Sequence, residues 1–261
     1  MKLAAVGLSL AYGQRRVIQG VSLEIASGEM VAIVGPNGSG KSTLLRGLGR
    51  LHRPTSGHVL LGDSDIRTLG PKEVARTLAV LPQSPGGGMD LTVRELVWRG
   101  RYPHQGLLQR AKQIDHEAVA WAMAASDIAH LAERTIAELS GGERQRAWIA
   151  LALAQQPRVL LLDEPTSFLD IQHQVEIMEF LGRLNADGMT IVAVVHDLVL
   201  AARYAMRVIA MRDGVVQFDG APADVFNPEA LERVFGIPMM VLRDPETGQP
   251  IPLPRHGSVL P

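Results

Sequence analysis

Apolar positions follow two rhythms along the chain. The opening residues, MKLAAVGLSLAYGQRR, suit a first strand, and 17–25 (VIQGVSLEI) alternates apolar and polar residues as a half-buried strand does. Residues 30–34 (MVAIV) form a short apolar run, followed by a glycine-rich turn and a helical stretch over 42–49. Residues 59–61 and 78–81 predict further strands, with Pro54, Gly57 and Gly62 as punctuation. From 91 to 136 the period is mostly helical, broken near Tyr102-Pro103 and at Gly106. Ser140 opens another helix that reaches about Gln155, and Pro157 marks its end.

Two runs rich in β-branched or leucine residues, 158–162 (RVLLL) and 190–195 (TIVAVV), are apolar enough for burial on both faces. A helical pattern over 172–184 separates them. Strand, helix, strand in that order predicts parallel pairing and an α/β core, with 91–136 as a helical insertion. A late hairpin is predicted from 208–211 and 215–218 around Asp213-Gly214, and the sequence turns proline-rich after Phe226.

Composition narrows the classes. The 261 residues are 46% hydrophobic and 20% charged, which suits one large globular domain or two modest ones. A net charge of −1 offers no basic field, so no nucleic-acid partner is expected. The absence of cysteine removes disulfides, thiolate metal sites and thiol nucleophiles. Lys2 and a short apolar run at the N-terminus do not make a signal peptide, because Arg15 and Arg16 follow almost at once. No apolar run approaches the roughly 18 residues of a membrane span, so any work at a membrane needs other chains to cross it.

The glycine-rich turn is GPNGSGKS at 35–42, the pattern G-x-x-x-x-G-K-[ST] between a strand and a helix, which is the context the pattern requires. Gly35, Gly38 and Gly40 let the backbone curl so that its N–H groups face phosphate oxygens. Lys41 then neutralises the β and γ phosphates, and the Ser42 hydroxyl is placed to ligate Mg²⁺. Candidate phosphate contacts therefore run through Gly35, Pro36, Asn37, Gly38, Ser39, Gly40, Lys41, Ser42 and Thr43. After RVLLL come Asp163, suited to the Mg²⁺ hydration shell, and Glu164, suited to orienting an attacking water. His196 follows TIVAVV, and adjacent parallel strands would bring it to the same phosphate.

Each of these has a plainer reading, an acidic turn for the pair and a surface residue for the histidine; their order relative to the phosphate loop favours the chemistry. Gln83, in AVLPQ, offers an amide to Mg²⁺ or water, and Tyr12, in LAYG, a ring that can stack on a base. The other histidines (52, 58, 104, 116, 130, 173 and 256) form no pair at metal-ligand spacing.

A second anion site is written into 138–146 (ELSGGERQR). Ser140 and Glu143 make a capping box, while Gly141 and Gly142 are poor helix formers that leave the first N–H groups bare. One phosphate chain cannot occupy two helix N-termini of a domain when the Lys41 helix already holds it.

Taken in order, GPNGSGKS, PQ at 82–83, LSGGE at 139–143, LLLDEP at 160–165, SFLD at 167–170 and His196 resemble ATP-binding-cassette (ABC) ATPase subunits over roughly residues 1 to 235. The resemblance implies a P-loop ATPase core with a mainly parallel sheet, an N-terminal antiparallel β part and an inserted helical subdomain. The implied boundaries are 1–87 and 137–240 for the core, 88–136 for the helical subdomain and 241–261 for a tail.

It implies ATP and Mg²⁺ as cofactors and a head-to-tail homodimer, in which Ser140, Gly141, Gly142 and Glu143 of one copy close on the nucleotide of the other. Asp170 would then contact the second copy. The stretches 93–105 (VRELVWRGRYPHQ), 169–185 (LDIQHQVEIMEFLGRLN), 198–216 and 229–237 are similar to ATPases of ferric siderophore importers and, more broadly, of the iron-chelate, haem and cobalamin group.

That implies permease subunits as partners, a substrate-binding protein as an indirect one, and a place on the cytoplasmic face of the inner membrane. A haem or cobalamin importer ATPase is the alternative. A non-transport cassette ATPase is more remote, since the chain has no long coiled-coil insertion or second cassette. Met206 stands where the family often has aspartate, and GGGMD at 86–90 is unusually glycine-rich.

Overall fold

The computed structural model describes residues 1–83, 87–106 and 111–255. The chain begins with two long strands, β1 (Leu3–Tyr12) and β2 (Arg15–Ile25), then β3 (Met30–Val34), the glycine turn and α1 (Lys41–Leu48). β4 (Ser56–Leu61) and the two-residue β5 (Ser64–Asp65) join the first pair in an antiparallel sheet of order β2-β1-β4-β5. α2 (Pro71–Thr77), opened by proline at its first position, feeds β6 (Leu78–Leu81).

The helical stretch holds α3 (Val93–Trp98), a 3-10 segment over 99–104, α4 (Gln113–Ala125) and two further 3-10 turns. α5 (Gly141–Ala154), β7 (Val159–Asp163), α6 (Ile171–Ala186) and β8 (Thr190–Val194) follow. The chain then passes through α7 (Leu198–Tyr204), β9 (Arg207–Arg212), β10 (Val215–Gly220), α8 (Pro222–Val225) and α9 (Pro228–Phe235), to end in a hairpin of β11 (Met239–Arg243) and β12 (Pro250–Pro254).

The central sheet has the order β10-β9-β3-β8-β7-β6, parallel throughout except for β10 on the edge. β3, β7 and β8 are buried on both faces, as their unbroken apolar runs require. Side chains alternate between two cores. Met30, Ala32, Val34, Leu160 and Leu162 join a core with α5, α6 and the helical stretch. Val31, Ile33, Val159 and Leu161 join one with α1 and the antiparallel sheet. Each such buried aliphatic side chain contributes about 1.5–3 kcal/mol. α5 faces both ways, packing on α3 and α4 and also on β6.

The strands and helices predicted from periodicity occur within about three residues of their expected bounds. α2, α7 and α9 were not foreseen: two of them have seven residues, too short for a period to register, and α9 lies in proline-rich sequence where its Asn227 cap and Gly236 stop are the signals. The segment read as a tail holds the terminal hairpin. Pro250, Pro252 and Pro254 alternate with Ile251 and Leu253, so the ladder bonds fall to residues that have an N–H, and Arg255 N continues the pattern to Pro238 O at 2.9 Å. Residues 256–261 of that expected tail, and Gly86 of the GGGMD stretch, lie outside the described residues.

Arg101 ties the helical stretch to the end of α5. It is 2% exposed, donates from Nε to Asp115 Oδ1 at 2.9 Å, and from an Nη to Ala154 O at 2.7 Å and Gln156 Oε1 at 2.9 Å. Burial pushes the Asp115 carboxyl up, but the Lys112 N–H and Arg101 outweigh it and hold the group below its ordinary value of 3.8. The pair thus stabilises the fold above that value, and its contribution fades as pH falls through the lower folded one. Arg101→Ala strands a buried carboxylate and is expected to cost about 3–5 kcal/mol in urea unfolding at neutral pH, with a smaller penalty in acid.

Candidate active site

Parallel register brings four strand ends to one line. Ile33 pairs with Val194, Val194 with Asp163, and Leu162 with Leu81. Gly35, His196, Glu164 and Gln83 therefore leave neighbouring strands within about one residue of a common level, at the carboxyl edge where open α/β sheets bind ligands.

The loop from Gly35 is shaped by close approach. Gly35 has φ 147°, and a Cβ there would stand 2.1 Å from Met211 O. Gly40, at φ 99°, opens α1, and a Cβ would stand 2.7 Å from the Ile18 Cδ1 methyl. No side chain caps α1 and no acid lies in its first turn, so the first N–H groups remain free for an anion. Lys41 is buried; its Nζ donates to Gly35 O at 2.9 Å and Pro36 O at 3.0 Å, leaving one of three hydrogens for a ligand. Burial pulls the Lys41 ammonium down, with Glu164 and Asp163 opposing.

The loop lines a cavity of about 400 Å³, with Asn37, Gly38, Gly40, Lys41, Ser42 and Thr43 on one side, Glu164 at one end and the half-exposed Tyr12 with Arg15 at another. Ser39 is buried behind it.

The consecutive carboxylates have opposite surroundings. Glu164, in the left-handed region at φ 55°, turns its side chain into a full set of donors. His196 Nε2 is 2.6 Å from Oε1; Gln83 Nε2 and Ser167 Oγ donate to Oε2 at 2.6 and 2.7 Å. Burial works to raise the Glu164 carboxyl, yet the bonds from His196 and Ser167 prevail and hold it low.

Asp163 is buried and neither oxygen has a hydrogen-bond partner; Arg46 Nη2 stands 3.9 Å away, too far for one. Burial pushes its carboxyl up, against the pull of the adjacent Ser42 hydroxyl, Arg46 and Lys41. Ser167, Arg46 and Arg15 were missed by sequence reasoning. Ser167's spacing of three from Glu164, across a tight turn, was the available signal.

The second predicted anion site lies apart. Ser140 and Glu143 form the capping box, Glu143 N donating to Ser140 Oγ at 3.3 Å and Ser140 N to Glu143 Oε2 at 2.8 Å. Ser140, Gly141, Gly142 and Glu143 do not line the Lys41 cavity. Gly141 has ordinary room, but a Cβ on Gly142 would stand 2.3 Å from the His173 ring. A larger residue would make the His173 ring shift, so packing favours the second glycine as well as the open anion site to which the sequence reading assigned it. Asp170 caps α6: its Oδ1 accepts from His173 N at 2.9 Å and pairs with His173 Nδ1 at 2.7 Å, while the side chain stays largely exposed.

Strand, phosphate loop and helix, with an acid pair and a histidine on neighbouring strand ends, define a P-loop nucleotide-hydrolysing core. The sequence profile of the ABC transporter family matches residues 18–167, and the chain belongs to that family: it is a cassette that binds and hydrolyses ATP.

The ferric enterobactin transport ATP-binding protein FepC of Escherichia coli K12 is 48% identical over 254 residues, 97% of this chain and 94% of that one. Among solved structures, an inward-facing conformation of a transporter assigned to the metal-chelate type has a TM-score of 0.86 at 27% identity and covers 99% of both chains. An ATP-binding cassette solved as a dimer in a post-hydrolysis state with ADP and phosphate has a TM-score of 0.73 at 30% identity, covering 84% of this chain and 98% of that one. No helix among the described residues is long and apolar enough to cross a membrane.

An unpartnered buried carboxylate costs stability. Asp163→Asn removes the charge and is expected to stabilise the nucleotide-free protein by about 1 kcal/mol, read as a raised Tm in calorimetry.

Proposed function

We propose that the chain powers import of an iron chelate, a ferric siderophore, through separate permease subunits at the cytoplasmic face of the membrane, working as a head-to-tail pair of identical copies. The observation that carries the catalytic part is the three-donor grip of His196, Gln83 and Ser167 on Glu164 beside the phosphate loop.

A carboxylate kept ionised and immobile is suited to orient a water and take its proton. His196 holds Glu164 through Nε2 and stays partly exposed at the same strand edge. Lys41 and the first N–H groups of α1 neutralise the phosphate chain, and Tyr12 stacks on the base. The two bare oxygens of Asp163 beside the Ser42 hydroxyl are oxygen donors that fit Mg²⁺, and Gln83, held at the adjacent Glu164, would be the third residue to hold it. When bound, that ion supplies charge neutralisation at the β and γ oxygens.

Ser140, Gly141 and Gly142, off the Lys41 cavity of their own chain, are free to meet the nucleotide of a second copy, with Asp170 alongside. The dimeric cassette structure supports this pairing. The siderophore reading rests on the identity with FepC along nearly both full lengths.

Lys41→Ala is expected to weaken ATP binding about 100-fold, whereas Glu164→Gln keeps affinity within about threefold and lowers turnover by about 10²–10⁴; equilibrium binding and phosphate release separate the two. With Mg-ATP, Glu164→Gln should double its solution mass by light scattering and lose the gain when Ser140→Arg is added. In proteoliposomes with the permease, uptake of ferric siderophore is expected, and uptake of haem or cobalamin instead would overturn the substrate class.

A further inference from the structure

The nucleotide's base end is built from a residue outside the phosphate and carboxylate motifs. Past α1, Leu51 N and His52 N both return to Arg46 O, at 2.8 and 3.2 Å, after Arg50 has turned the chain at φ 60°. That fold-back delivers His52 to Tyr12: the ring centroids are 4.5 Å apart at 41°. His52 Nε2 lies 2.9 Å from Ala11 O, the carbonyl just before Tyr12. A carbonyl only accepts, so Nε2 carries the hydrogen and the ring's tautomer and tilt are fixed by the strand it supports.

The sides of the tyrosine are distinct. Tyr12 lines the cavity of Lys41 and His52 does not, whereas His52 lines a separate cavity of about 340 Å³ that Tyr12 does not reach. His52 therefore packs against Tyr12 from outside the cavity that Lys41 lines. One helix spans the whole distance: Lys41 begins α1 at the phosphates, and the turn after Leu48 holds the base platform.

We propose that His52 is a positioning residue for the nucleotide, fixing the plane of Tyr12 from outside the cavity so that the ring receives the adenine. The proposal rests on the reading of Tyr12 as the base platform given above. An exposed tyrosine on a strand end samples several rotamers; a ring stacked on one face and anchored to the neighbouring carbonyl removes most of them before the ligand arrives.

The test compares ADP with pyrophosphate, which lacks both base and ribose, by equilibrium dialysis on the whole chain. His52→Ala is expected to weaken ADP about three- to tenfold, the worth of an aromatic pair, while leaving pyrophosphate unchanged. His52→Phe keeps the ring beside Tyr12 but loses the bond to Ala11 O, so its loss should be smaller than that of His52→Ala. In a Tyr12→Ala background, His52→Ala should add nothing further.

Equal weakening of ADP and pyrophosphate, a loss in His52→Phe as large as in His52→Ala, or additive losses in the double variant would each overturn the proposal. If Tyr12→Ala weakens ADP and His52→Ala does not, the positioning role alone fails. If Tyr12→Ala has no effect, the base-platform reading fails with it.

Discussion

Parallel pairing of β3, β8, β7 and β6 is the constraint on which the site depends. Side chains that touch at Glu164 come from positions 83, 164, 167 and 196, and no local segment could gather them. Three neighbouring strands, β6, β7 and β8, ending at one level bring Gln83, Glu164 and His196 together, the turn after Glu164 adds Ser167, and β3 beside them places the phosphate loop. Two buried cores fix that level. A slip of one residue in any strand would exchange its two faces and put every side chain into the wrong core.

Charge at this edge is arranged against folding stability. Asp163 is buried without a donor and Lys41 is desolvated, while Glu164 alone is well supplied. A fold optimised for itself would have paired Lys41 with one of the acids. Here the ammonium is spent on loop carbonyls and one carboxylate is left bare, which is the condition of a site completed by ligands carrying the complementary charges.

The central sheet was legible because continuous apolar runs and a helical period between them leave few alternatives. Glu164, His196 and Gln83 could be placed together from the sequence because each sits one or two positions beyond such a run, and the phosphate loop because its spacing lies between a strand and a helix. What escaped had either too little length or no periodic signature: the seven-residue α2 and α7, and Ser167, whose role appears only once Glu164 adopts a left-handed turn. Gly142 shows a different limit. Its place in a capped, glycine-bearing helix start suggested an anion site, whereas the immediate demand on it comes from the ring of His173, thirty-one residues on and across a helix contact. Long-range packing of this kind leaves no trace in local sequence.

The alternating prolines of β12 bear on how the molecule behaves in a crowd. Their positions fall where an edge strand's N–H groups would point outward, so the free edge of β12 offers carbonyls and no donors. Another chain's strand laid against it would find half of its ladder missing. β12 can therefore pack onto α7 without its own edge becoming a template for fibre-like growth.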